Sequence, residues 1–238
     1  MLGPLVNSSA LALGAIFGAA LRHGAPDRVK KALPLTCGVI SIGIGSILSN
    51  KAQALPAVSL ALLAGALIGE LLFLEHGVER FVHWMQGILA RHTTERGSQH
   101  DSEQFIVKFV SISVLFCASG MGIFGAIQEG MTGEANILLA KAVLDLFTAA
   151  IFAADLGFGV ALIALPQLLM QSALFLGARQ LMPLTTPAML ADFSACGGII
   201  MLATGLRICG IKIFPIVNML PALILVMPVS ALWARLFA

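Results

Sequence analysis

The segment Cys117-Ala-Ser-Gly-Met-Gly-Ile-Phe-Gly-Ala-Ile-Gln-Glu-Gly-Met-Thr-Gly133 carries Gly120, Gly122, Gly125, Gly130 and Gly133 together with Gln128 and Glu129, and Lys141 and Asp145 follow it closely. Glycine inside a helix costs about 1 kcal/mol relative to alanine, so this density predicts a helix end or a bend. A charge at the centre of a membrane-spanning helix costs about 2.5 to 3.5 kcal/mol on insertion scales. In lipid, irregular backbone is tolerated only where protein or a water-filled cavity surrounds it. The segment therefore reads as a polar site enclosed by membrane helices.

The rest of the chain supplies those helices. Of its 238 residues 58% are hydrophobic and 11% charged, with a mean hydropathy of +0.96, and a soluble domain of this size needs more polar surface than that. The apolar runs reach about 20 residues, enough at about 1.5 Å per residue to cross about 30 Å of hydrocarbon, and they lack the short alternation of membrane β-strands. Met1 opens almost directly onto the first run with no basic stretch before it, so that run is expected to remain as a span rather than to be cleaved as a signal. Cys37, Cys117, Cys196 and Cys209 stand singly and read as buried thiols. A net charge of +2 is too small to imply nucleic acid.

Apolar segments fall at residues 5–21, 33–48, 55–74, 105–127, 137–154, 156–176, 193–206 and 216–237. The expectation is an all-α polytopic membrane protein of about eight transmembrane segments. The count becomes seven if the tight join Asp155-Leu-Gly-Phe-Gly159 and the charged fifth segment mark a broken, tilted or re-entrant helix. Arg22, Arg28, Lys30 and Lys31 crowd the first loop, Arg80, Arg91 and Arg96 the third, and Arg207 and Lys212 the last. Those loops are expected on the cytoplasmic side, which puts both termini outside; Lys51, Arg179 and Arg235 depart from the pattern.

One offset of 159 residues matches Gly18-Ala19 to Gly177-Ala178, Cys37-Gly38 to Cys196-Gly197 and Pro56 to Pro215. If the match is a three-helix duplication, the copies are displaced by five spans and cross the membrane in opposite directions, the inverted-repeat arrangement of many secondary transporters. The organisation expected is a first three-helix bundle at 1–74, a cytoplasmic amphipathic helix and polar linker at 75–104, a central glycine-rich helix pair at 105–155, and a second three-helix bundle at 156–238. In the linker Val78, Phe81, Val82, Met85, Ile88 and Leu89 share one face and Glu79, Arg80, His83 and Gln86 the other.

The blocks Phe116-Cys-Ala-Ser-Gly-Met-Gly-Ile-Phe-Gly-Ala, Glu129-Gly-Met-Thr-Gly133, Ala191-Asp-Phe-Ser-Ala195, Ala203-Thr-Gly-Leu-Arg-Ile-Cys-Gly-Ile-Lys212 and Val217-Asn-Met-Leu-Pro-Ala222 resemble the bacterial domain-of-unknown-function family 554, the YqgA/YdfK-like membrane proteins. The resemblance covers essentially the whole chain. It implies a multi-pass protein of the bacterial inner membrane and implies no particular activity.

Lys141 and Asp145 are spaced i, i+4, with Thr148 continuing the same face, so an ion pair is natural. Glu129, Asp155 and Asp192 are the other partners within the apolar regions. As a binding site, Asp145 would take a cation or a proton, and Lys141 would compete with it or hold an anion. The alternative is a structural pair near the interface with Lys141 snorkelling. The glycine-rich segment has two readings as well: a discontinuous helix whose backbone, with Gly120, Gly125, Gln128 and Glu129, contributes to a solute site, or a small-residue packing face followed by a loop.

Asn7, Ser8 and Ser9 in helix one, Asp192 and Ser194 at the start of helix seven, and Asn218 between Pro215 and Pro221 supply further polar groups, as binding residues or as interhelical hydrogen bonds. Glu70 reads as an interfacial carboxylate. His76, Glu79 and His83 share a face but read as solvated residues, so no metal site is expected.

No Gly-x-Ser-x-Gly elbow, His-Glu-x-x-His pair or phosphate-binding loop occurs, so an enzyme is not expected, and no cofactor is implied. The function expected is a secondary transporter or channel for a small ion or polar solute, with Gly120, Gly125, Gln128, Glu129, Lys141, Asp145, Asp192, Asn218 and Asn7 as candidate binding residues. The alternative is a membrane scaffold or regulatory protein whose polar residues serve packing. The expected partners are the lipid bilayer and the solute, with no nucleic acid, and small-residue helix faces permit a homo-oligomer.

Overall fold

The structure, a computed structural model, describes residues 1–20, 26–77, 80, 109–110, 112–113, 116–117 and 119–237. Most of the linker at 75–104, with Glu79, His83 and the amphipathic face proposed for it, lies outside the described residues, as does the start of the segment 105–127.

The chain is an all-α polytopic membrane protein. Helix α1 spans Leu2–Ala20, α2 Asp27–Ser49 and α3 Leu55–Leu71. They are followed by α4 at Gly120–Thr132 and α5 at Asn136–Leu156, then a 3-10 turn at Gly157–Ile163 and α6 at Ala164–Leu181. The chain closes with α7 at Pro187–Ile208, the short α8 at Ile216–Met219 and α9 at Pro221–Phe237.

Among the described residues five helical stretches are long and apolar enough to cross a membrane. The stretch Asn136–Leu184 runs to 49 residues, which at about 1.5 Å per residue is far longer than a bilayer is thick. It folds back on itself. Gly157, at φ 75°, takes a backbone conformation that a β-carbon would strain, and the 3-10 turn completes the reversal. Asp145 on α5 then meets Gln167 on α6, and Lys141 and Gln171 both border Gly122, so the two helices run antiparallel. The tight join read at Asp155-Leu-Gly-Phe-Gly159 is this reversal.

Polar side chains within the helices are mostly turned inward beside a buried apolar core, while large apolar side chains also cover the outer surface, the pattern a lipid solvent imposes. Asn7, Gln167, Gln171 and Asp192 are fully buried, while Leu13, Phe17, Leu63, Leu169 and Ile224 are exposed. Since lipid tails are as apolar as leucine, helices associate here through close backbone approach. A Cβ on Gly14 or Gly18 would collide with the carbonyl oxygens of Leu146 and Ala150, which sets α1 parallel to α5. Gly38 meets Gly205 and Gly45 meets Gly198, so α2 and α7 run antiparallel; Gly65 meets Ala222 and Gly69 meets Asn218, so α3 runs antiparallel to α8 and α9.

Three expected boundaries move. The fourth apolar segment is not one continuous helix, because the backbone is extended at Ser119 and α4 begins afresh at Gly120. Helix seven starts at Pro187 rather than near 193, since Thr186 caps it by accepting the Met189 N–H, so Asp192 and Ser194 lie inside the helix. The last segment is split at Leu220 into α8 and α9, where Pro221 cannot donate a helical hydrogen bond.

A candidate solute site at the broken fourth helix

Phe116 and Cys117 are helical, and Ser119 is extended at φ −73° and ψ 134°. Its hydroxyl accepts the N–H of Gly122 at 3.1 Å, and its carbonyl accepts that of Ile123 at 3.0 Å. This is a serine N-cap, but it stands within the bundle rather than at its edge. The first N–H groups of any helix lack intrahelical acceptors and mark the positive end of its dipole. At its other end α4 stops at Gly133, whose φ of 78° is the left-handed conformation of a glycine cap. Helix α4 is thus a half-helix of 13 residues.

Helices α1, α5 and α6 meet around the glycine face of this half-helix. Lys141 and Asp145 on α5 form an ion pair with side chains only 4% and 9% exposed. Gln167 on α6 donates to Oδ2 of Asp145 at 2.8 Å. One turn further along α6, Gln171 accepts from Asn7 of α1 at 3.3 Å. Gly122 makes room for this arrangement, since a Cβ there would stand 2.9 Å from Cε of Lys141 and 3.2 Å from Nε2 of Gln171. Nζ of Lys141 also lies 5.8 Å from the centre of the Phe116 ring, within cation–π range. Among the described residues Asn7 Oδ1, Gln167 Oε1 and Gln171 Nε2 have no protein hydrogen-bond partner, a condition that buried amides resolve with water or a ligand.

Beside the ion pair is a cavity of about 290 Å³ where α2, α4, α5 and α7 converge. Its apolar wall comes from Pro34, Phe116, Met121, Leu144, Phe152 and Ile208; its polar wall from Cys37, Ser41, Ser119, Lys141, Asp145, Thr148 and Thr204. The hydroxyls of Ser41, Thr148 and Thr204 donate to the carbonyls of Met201, Leu144 and Ile200 at 3.0, 2.8 and 2.8 Å. Their protons are committed locally, and their lone pairs remain as acceptors. The strong polar features of the cavity are therefore one cation, one carboxylate and the start of α4.

The other candidate residues are engaged elsewhere. Glu129 accepts the N–H of Gly3 at 3.1 Å and lies 3.1 Å from the amino group of Met1. Asp192 accepts the N–H groups of Gln53 and Ala54 at 2.7 and 2.9 Å and the hydroxyl of Ser230 at 2.6 Å. It ties the start of α3 and the middle of α9 to α7. Asn218 accepts the N–H of Glu75 at 2.8 Å and donates to Glu70. Gly125 packs against Ile137 and Leu138, Gly120 borders Thr204, and Gln128 is buried with its carbonyl oxygen unpartnered among the described residues. The structure thus brings Asn7, Lys141 and Asp145 together and leaves Glu129, Asp192 and Asn218 at three separate tethers.

Gln167 and Gln171 escaped the sequence reading. Their signal was present: two glutamines one turn apart in an otherwise apolar helix carry the same desolvation argument that singled out Asn218. Ser41, Ser119 and Thr204 gave no such signal, because a hydroxyl is at home in a membrane helix once it bonds a carbonyl one turn back.

The family model described as "Protein of unknown function (DUF554)" matches residues 2–231. The chain is 52% identical over 238 residues, the full length of both proteins, to "Uncharacterized protein YqgA" of Escherichia coli (strain K12). It is 28% identical over 232 residues, 94% of this chain and 93% of the relative, to "Uncharacterized membrane protein YdfK" of Bacillus subtilis (strain 168). No solved structure matches. With a family model and a relative both spanning nearly the whole chain, the protein belongs to the DUF554 family.

Proposed function

We propose that this protein is a secondary transporter or channel for a small ion or polar solute, and that the solute binds in the cavity between Ser119 and the Lys141–Asp145 pair. The observation that carries this reading is a half-helix starting inside the bundle, beside a cavity whose wall holds the buried ion pair. Discontinuous helices with their N-termini at a mid-membrane site are the recurring device of secondary transporters. The antiparallel packing of α2 on α7, and of α3 on α8 and α9, is what two inverted three-helix repeats require, and it supports that organisation. The protein is not an enzyme in this reading.

The same reading places the protein in the bacterial inner membrane with both termini outside. Cys209 approaches the carbonyl of Leu35 at 3.7 Å and Arg207 pairs with Glu75 at 2.6 Å. The beginning of α2, the end of α3 and the end of α7 therefore share one end of the bundle, and Arg28, Arg80, Arg207 and Lys212 belong to those connections. Clustered basic residues favour the cytoplasmic side.

The scaffold reading draws its support from the tethers at Glu129, Asp192 and Asn218, which serve packing. Flux of ions and metabolites into proteoliposomes separates the two. Transport of a solute that Asp145→Asn and the cavity-filling Ile208→Trp both abolish is the expected result; a complete absence of flux across a broad solute panel leaves the scaffold. A ligand present at about 100 times Kd would also add about 2.7 kcal/mol of stability to the purified protein.

A further inference from the structure

We infer that the solute is a small zwitterion with an apolar body, of the α-amino acid class; this rests on the transport reading of the same cavity and names its substrate. The cavity wall carries one positive and one negative side chain already paired with each other, so the site is neutral before anything binds. A solute with a single charge must either break that pair or leave net charge in the membrane interior, where uncompensated charge is strongly disfavoured. A zwitterion does neither. Its two charges lie side by side, as those of Lys141 and Asp145 do, and the two dipoles dock head to tail with the internal pair intact.

The atoms left over fit this. Among the described residues the side-chain donors to Asp145, Lys141 and Gln167, both fall on Oδ2, so Oδ1 is the oxygen left for a solute ammonium, helped by the acceptor lone pairs of Ser41 and Thr204. The Lys141 ammonium has three protons and gives one to Asp145. It can therefore receive a solute carboxylate together with the first N–H groups of α4, of which the Ser119 hydroxyl engages only that of Gly122. Pro34, Leu144, Phe152 and Ile208 offer the remaining volume to an apolar side chain rather than to a sugar or a phosphate.

The test uses the full-length protein in lipid nanodiscs and proteoliposomes with three probes of one shape: L-leucine, its decarboxylated analogue 3-methylbutylamine and its deaminated analogue 4-methylpentanoate. The expected result is saturable binding and uptake of leucine, at least tenfold weaker binding of each singly charged analogue, and loss of leucine binding in Asp145→Asn. Because that substitution disturbs a buried pair, Ile208→Trp provides the second variant: it fills the apolar end of the cavity without touching either charge and is also expected to abolish leucine binding. If the amine or the acid binds as tightly as leucine and Ile208→Trp removes that binding, the zwitterion assignment is overturned while the cavity remains the site. If neither these probes nor any ion or metabolite in the panel binds or moves, the transport reading itself fails. Leucine binding that Ile208→Trp leaves unchanged overturns the assignment to this cavity.

Discussion

Gly122 of α4 and Lys141 of α5 pack so closely that the lysine would have to shift to accommodate a β-carbon, since a Cβ on Gly122 would stand 2.9 Å from Cε of Lys141. The glycine thereby fixes where the cation sits. Lys141 reaches Asp145, its partner four residues on, and both line the cavity.

Gly122→Ala pushes against the far end of a flexible side chain, so its effect on stability is small, within about 1 kcal/mol, while solute binding weakens at least tenfold as Lys141 is displaced. Gly69→Ala is the contrasting case, because its Cβ meets the backbone oxygen of Asn218 and the helices must part. It is expected to cost about 1 to 3 kcal/mol through overpacking. Thermal midpoints of the two variants, measured side by side in one detergent, check the ordering; equal losses would refute it.

Breaking the buried pair is worse than deleting it. Asp145→Asn leaves the Lys141 charge without its counter-ion and is expected to destabilise by about 3 to 5 kcal/mol, and Lys141→Met is expected to do comparable damage. The double variant Lys141→Met/Asp145→Asn should recover much of the loss while remaining unable to bind solute. A double-mutant cycle on unfolding free energies reads the coupling, and strict additivity of the two losses would show that the charges do not act as a pair.

Asp192 is a structural residue, and removing it should lower stability without changing solute affinity in the protein that remains folded. It receives two backbone N–H groups and one hydroxyl, so Asp192→Ala should cost about 3 kcal/mol or more, with charge-assisted bonds worth about 1.5 to 3 kcal/mol each. Ser230→Ala removes one of these bonds and should cost about 1.5 to 3 kcal/mol. A solute affinity that falls in Asp192→Ala would place this residue in the binding path instead.

The transport reading predicts that one cysteine is accessible to water-soluble reagents and another is not. Cys37 lines the cavity and Cys196 is fully buried against the core. With each retained as the sole cysteine, a small water-soluble thiol reagent should label Cys37, from the side bearing the basic loops, and should spare Cys196. Bound solute should slow the labelling of Cys37. A Cys37 that resists labelling from both faces would argue for a dry, closed site.

Much of the fold is legible in the chain. The apolar runs place α1 and α3 to within three residues and miss only the polar first turns of α2, which starts at Asp27, and the spacing of Lys141 and Asp145 is enough to pair them, because side chains four apart on a helix are neighbours whatever surrounds them. The start of α4 is less legible. A run of glycines signals a bend without saying where it falls, and the interruption sits just ahead of the run, where Ser119 offers the hydroxyl that a new helix start needs. Gln167 and Gln171 illustrate the opposite limit, since each carries a visible cost whose resolution depends on helices distant in sequence.

Composition and spacing dictate the solvent and the inventory: an apolar chain requires lipid around it, and lipid requires that every backbone group be bonded within helices and every charge be compensated. They also dictate local pairs such as Lys141 with Asp145. The grouping of the polar residues comes instead from how the helices pack. Glu129, Asp192 and Asn218 looked equivalent to Asn7 and Asp145 in the chain, yet each became a separate tether, because their partners at Gly3, Gln53 and Glu75 are backbone N–H groups brought near by packing. The cavity at Ser119 arises in the same way, from α2, α4, α5 and α7 converging where glycines let backbones touch. Close approach depends on the shape of both surfaces, and a linear sequence holds the two surfaces without their register.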